Sequence, residues 1–127
     1  MVAYNFRQEF AGDVADLVKR QTIRADGKRR HARPGELLQL YTGMRTKGCR
    51  KLVLPDPPCK STEPIAIDFN YYSEGEYGIT ATVSGKRLTD QELEALAQAD
   101  GFENVDAMHW FFCTTHRVPF RGTLIKW

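Results

Sequence analysis

Apolar residues recur along this chain with two different periods, and the switches between them outline its elements. From Glu9 to Lys19 the apolar positions Phe10, Val14, Leu17 and Val18 fall at near-helical spacing, with acids early and Lys19-Arg20 late, as a helix dipole prefers. The pattern predicts a short amphipathic helix ending near Lys19. Gln21-Thr22-Ile23-Arg24 follows, then a polar, basic loop through Arg33 that stops at the turn signal Pro34-Gly35. Segments rich in β-branched and aromatic residues predict strands over 36–42, 50–54, 64–70, 77–83 and 122–127.

The last third carries two helices whose ends are written in the sequence. Thr89 with Glu92 three residues on forms a capping box, and Gly101 closes a helix over about 90–100. Asn104 caps a second, more apolar helix bearing Val105, Met108, Phe111, Phe112 and Cys113, which ends before Pro119. The proline-rich segment 55–64 reads as an irregular surface loop, because neither flank is long enough to own a core. With 127 residues the chain fits one domain, 1–127. Several short strands with flanking helices predict an α+β class.

Composition narrows the setting. Apolar residues make up 42% and charged residues 27%, which suits a globular protein and excludes a disordered one. No run of eighteen apolar residues occurs, and MVAYNFRQEF lacks the basic and apolar regions of a secretory signal, so the expectation is a cytoplasmic protein with no membrane contact. Cys49, Cys59 and Cys113, odd in number and widely spread, read as free thiols in a reducing compartment. Charge is asymmetric: residues 1–60 hold 13 Lys/Arg against 6 Asp/Glu, and residues 61–127 hold 5 against 10. Such a field draws polyanions to one face, although a solvated basic surface gives the same count.

Candidate chemistry centres on Lys19-Arg20-Gln21-Thr22-Ile23-Arg24. An amine and a hydroxyl three residues apart at a helix exit come within mutual reach, and desolvation or nearby cations such as Arg20 and Arg24 would push Lys19 toward the neutral form that can take the Thr22 proton. The plainer alternative has Lys19 neutralising a helix end and Thr22 in an ordinary strand. Arg20, Arg24, Lys28, Arg29, Arg30, Arg33 and Arg45 form a candidate nucleic-acid surface, on which Tyr41, Tyr71 and Tyr72 could stack bases or simply pack within a sheet. His109, Cys113 and His116 share one helical stripe, but three ligands along one helix rarely converge and no second close pair completes a zinc site, so neither a metal nor a cofactor is expected. No phosphate-cradling glycine motif and no H-E-x-x-H occur, which removes the common nucleotide hydrolases and zinc proteases.

K-x-x-T-I-R followed by a basic loop ending in P-G-E before a strand resembles the ASCH domain family, which is related to PUA domains. Lys19, Thr22 and Arg24 occupy the positions of its G-x-K-x-x-T-x-R hallmark, and RPGELLQLYTGMRTK is similar to its next strand. The helix, the D-G-F turn at Asp100 to Phe102, the second helix and the closing strand extend the likeness over nearly the whole chain. The resemblance implies a PUA-like small β-barrel of about five to six strands with an N-terminal helix and two C-terminal helices. Small bacterial members hydrolyse the amide of acetylated cytidine with a lysine, a threonine and a glutamate. Carried over, Lys19 is the base, Thr22 the nucleophile and Asp100 the group that orients the lysine. Two residues depart from the pattern: Asp100 is one methylene shorter than glutamate, and Leu17 stands where the family has glycine.

The resulting expectation is a monomeric domain that binds RNA or a modified nucleoside and removes an acyl group from acetylated cytidine. A binding module without turnover, a ribonuclease using the same basic cleft, and a protein-interaction or zinc-bound structural domain are the alternatives. A cleft lysine adds little to core packing, so Lys19→Ala is expected to leave folding intact.

Overall fold

Tyr4 and Phe6 point inward between exposed Ala3 and Asn5, and this period of two builds β1 (Val2–Phe6), a strand absent from the five expected above. The computed structural model describes residues 2–73 and 76–127, and of 69–73, 76 and 77 the backbone alone. After β1 come α1 (Gln8–Ala15), β2 (Gln21–Ala25), β3 (Leu38–Thr42), β4 (Arg50–Lys51), β5 (Ser61–Ser73), β6 (Glu76–Val83), β7 (Lys86–Arg87), α2 (Asp90–Ala99), α3 (Val105–Thr115) and β8 (Phe120–Lys126).

The protein is α+β, with three helices and eight strands in two sheets among the described residues. One sheet has the order β1-β3-β4, with β1 and β3 parallel; the other is antiparallel throughout, in the order β2-β8-β5-β6-β7. A single closed barrel of five to six strands was expected; the described ladders instead form two separate sheets. The strands outside the five expected are β1, β2 and the two-residue β7, the last too short to carry a readable period.

β8 explains how the layers join. Its Phe120 and Leu124 enter a core with Ile65, Ile67 and Ile79 of the large sheet and Leu93, Leu96, Met108 and Phe112 of α2 and α3. Ile125 and the following Trp127 enter a second core with Tyr4, Phe6, Val14, Leu38 and Leu40. The alternation of a strand thus places α2 and α3 on one face of β8 and the small sheet with α1 on the other.

Element ends differ from the expectation in three informative places. α1 stops at Ala15 rather than near Lys19, because Leu17 adopts φ +60, a left-handed conformation that no continuing helix allows. Leu17 and Val18 therefore leave the apolar stripe and lie exposed. The loop expected over 55–64 gives up its last four residues to β5, where Pro64 pairs with Thr123 of β8. The ladder to β6 begins only at Ile65, so the N–H that proline lacks is not needed there. Finally, the 50–54 strand shrinks to Arg50–Lys51. The capping box at Thr89 forms as expected, with Glu92 N–H donating to Thr89 Oγ1 and Thr89 N–H to Glu92 Oε1, both at 3.1 Å.

Candidate active site

β2 is an edge strand of the large sheet, and a cleft of about 300 Å³ opens beside it. The small sheet and α1 supply one wall through Asn5, Phe6, Arg7 and Phe10, and the end of α2 with α3 supplies the other through Asp100, Phe111 and His116. Lys19, Thr22 and Arg24 face it from β2 and its approach. Even-numbered residues of β2 turn toward the small sheet, where the Arg24 guanidinium lies 4.9 Å from the Phe6 ring centre and 5.3 Å from that of Tyr4. Odd-numbered Ile23 packs into the core under α2 and α3.

Lys19, Thr22 and Asp100 come together here, all buried. Lys19 Nζ lies 3.2 Å from Asp100 Oδ1 and donates a 2.5 Å hydrogen bond to the Asp100 main-chain carbonyl. Asp100 is the C-cap of α2, so Lys19 neutralises a helix end, but that of α2 rather than α1. The close approach rests on Gly101, whose φ of +95 suits glycine and where an added Cβ would lie 2.9 Å from Phe10 and 3.2 Å from the Lys19 chain. Gln21 Nε2 donates to Asp100 Oδ1 at 3.4 Å. Thr22 Oγ1 accepts from Arg24 Nε at 2.9 Å, and Arg24 Nη2 donates to the Asn5 carbonyl at 2.8 Å, tying β2 to β1.

Burial sets the charge states. It pushes the Lys19 ammonium below its usual range, helped by Arg24 and opposed by Asp100. It pushes the Asp100 carboxyl up, opposed by Lys19. Both partners therefore move toward their neutral forms, because desolvation outweighs their mutual attraction. His116, expected above only as a metal candidate, sits in this cleft with its ring against Phe111, Phe112 and Phe120. Burial, then Arg7 and Arg24, lowers its pKa and favours the neutral imidazole. Among the described residues no group of three His, Cys, Asp or Glu side chains is placed to hold a metal ion.

Lys19 is only 3% exposed, which corrects the expectation that alanine there leaves the fold untouched: removing the amine strands the buried Asp100 carboxyl. The basic residues also divide. Arg24 belongs to the cleft, while Arg20 Nε donates to the Trp127 carbonyl at 3.1 Å. Lys28, Arg29 and Arg30 line a separate groove with Tyr4, Ala25 and His31. Arg30 is committed to Glu36 through two hydrogen bonds of 2.6 and 2.8 Å, which hold the Glu36 carboxyl down at about 2. Arg33 and Arg45 are exposed outside the cleft, and Tyr41 stacks under Lys51 at 5.6 Å. The side chains of Tyr71 and Tyr72 lie outside the described residues.

Sequence reasoning passed over Arg7, Gln21 and the phenylalanines of the cleft. Gln21, a polar residue opening an apolar strand, carried a faint signal; Arg7 carried none, because its place depends on how α1 meets α3. The three thiols are free, Cys59 buried and the other two exposed. Among the described residues no helix is long and apolar enough to cross a membrane. Comparison with protein-family models, curated proteins and solved structures finds no match for this chain.

Proposed function

We propose that this chain is a cytoplasmic ASCH-type domain of PUA-like descent that binds RNA or modified nucleosides and removes an acyl group from acetylated cytidine. One observation carries the reading: the buried Lys19–Asp100 pair, 3.2 Å apart, borders the same cleft as the Thr22 hydroxyl and its Arg24 partner. A neutral amine has two hydrogens and one lone pair. Asp100 offers acceptors for both hydrogens, its main-chain carbonyl and its Oδ1, which leaves the lone pair to take a proton. The Arg24 bond to Thr22 Oγ1 stabilises negative charge on that oxygen without engaging its proton.

In the proposed reaction the Thr22 oxygen attacks the amide carbon and its proton passes to Lys19. The tetrahedral oxyanion is held by Arg24 or by a main-chain N–H on the free edge of β2. Collapse breaks the C–N bond, Lys19 returns the proton to the departing cytosine amine, and an acyl ester remains on Thr22. Water then attacks the ester with Lys19 again taking a proton; collapse breaks the bond from the acyl carbon to Thr22 Oγ1, Lys19 returns the proton to that oxygen, and the carboxylic acid leaves.

A second reading, binding without turnover, is favoured by the bond from Lys19 to the end of α2, which gives the lysine a structural duty. Conversion of acetylcytidine to cytidine by the wild type, reduced at least a hundredfold in Thr22→Ala, supports hydrolysis; Thr22 packs little volume, so this variant keeps the fold. Equal turnover in wild type and Thr22→Ala removes the nucleophile assignment. Retention of RNA with no turnover selects the binding module, and shortened RNA selects a ribonuclease.

A further inference from the structure

Trp110 is 73% exposed, while the other tryptophan, Trp127, is 2% exposed. α3 explains this. Met108 and Phe112, four residues apart, enter the core, whereas Ala107, Trp110 and Thr114 form an outward stripe lining a second cleft. Between the stripes, Phe111 and Thr115 line both this cleft and the candidate active site. Phe10, Phe102 and Arg7 are shared as well, so the two clefts form one continuous depression divided by the Arg7–Phe111 stack.

That divide carries charge. The Arg7 guanidinium lies over the Phe111 ring, 5.1 Å from its centre, which places the cation on the ridge. Its carboxylate neighbour Glu9 is 4.0 Å away with both side chains more than half exposed, too loose a pair to cancel the cation. Along the depression the order is therefore the Lys19–Thr22 site, then a guanidinium, then an indole. A base, its phosphodiester and the next base follow the same order. Glu9 and Glu103 also line the second cleft and oppose any further phosphate beyond the ridge, which limits the reading to one neighbouring nucleotide.

We propose that Arg7 and Trp110 form a subsite for the nucleotide adjoining the target cytidine, the phosphodiester at Arg7 and the neighbouring base stacked on Trp110, so that a strand of RNA is a better substrate than a free nucleoside. The inference rests on the hydrolytic reading only for the identity of the target base. Stacking on an aromatic side chain is tolerant of base type, so little preference among neighbours follows.

Because Trp127 is buried, quenching of intrinsic fluorescence reports on Trp110. A dinucleotide containing acetylcytidine should quench the wild type and acetylcytidine alone should not. The dinucleotide should show about tenfold or more higher kcat/KM than the nucleoside. Trp110→Ala should remove that advantage while leaving nucleoside kcat/KM unchanged, and Trp110→Phe should retain most of it. Equal kcat/KM for dinucleotide and nucleoside in the wild type, or an advantage that survives Trp110→Ala, overturns the subsite and leaves the hydrolytic reading standing. Quenching by the dinucleotide with no hydrolysis of either compound supports the subsite and overturns the hydrolytic reading. A fluorescence change on raising protein concentration alone, accompanied by a dimer in sedimentation, assigns the indole to a second copy of the chain and overturns the subsite.

Discussion

Lys19 and Asp100 share one problem, which is that each is buried and each is charged only at the cost of desolvation. Removing one partner leaves the other without compensation, and Asp100→Ala should lower stability by about 3–5 kcal/mol in a denaturant titration. Replacing both, as Lys19→Met with Asp100→Leu, should restore stability to near or above the wild type, because apolar neighbours such as Phe6 and Phe10 already surround the amine. The pair also fixes how stability depends on pH. The folded value of Lys19 lies below its usual 10.5, so its contribution is complete above 10.5 and declines as pH falls through the folded value. The folded value of Asp100 lies above its usual 3.8, so its contribution is complete below 3.8 and declines as pH rises through the folded value. Turnover that uses the neutral amine should accordingly rise with pH, with a midpoint below 10.5 in a profile of kcat/KM.

Elements fail or succeed here according to how local their causes are. The N-terminus of α2 was legible because Thr89 and Glu92 satisfy each other within one turn, and the same holds for Asn104, whose Oδ1 accepts from Ala107 N–H at 2.8 Å. The end of α1 was not legible. Leu17 continues an apolar stripe in sequence, yet the chain must turn left-handed there to bring Lys19 under the end of α2. The glycine that the ASCH pattern holds at this position meets that demand without strain. Leu17→Gly should therefore raise stability by about 1 kcal/mol, read as a higher denaturation midpoint, since the exposed leucine gives up little packing. The meeting of Asp100 with Lys19 was legible only through the resemblance, because nothing local in the sequence marks a carboxylate that closes a helix as one that also meets a lysine 81 positions away.

The whole molecule presents its positive first half unevenly. Arg30 is neutralised by Glu36, while Lys28 and Arg29 remain exposed on the groove that adjoins the site through Ala25. RNA affinity should fall steeply with salt, and Lys28→Ala with Arg29→Ala should reduce the slope of log affinity against log salt by about 2, measured by filter binding. The α+β class and the order of helices near the end of the chain could be read from periodicity. The division into two sheets could not, since it depends on parallel pairing of β1 with β3 across 36 positions, from Val2 to Leu38.

The position of β8 has a consequence for assembly. Residues 120–126 lie between β2 and β5, so as the chain is synthesised β5 can pair with β6 early, but β2 finds its ladder neighbour only once β8 exists. The threonine and arginine on β2 are thus set in place by a strand that emerges long after them, and no nascent chain lacking residues 120–126 carries a formed cleft.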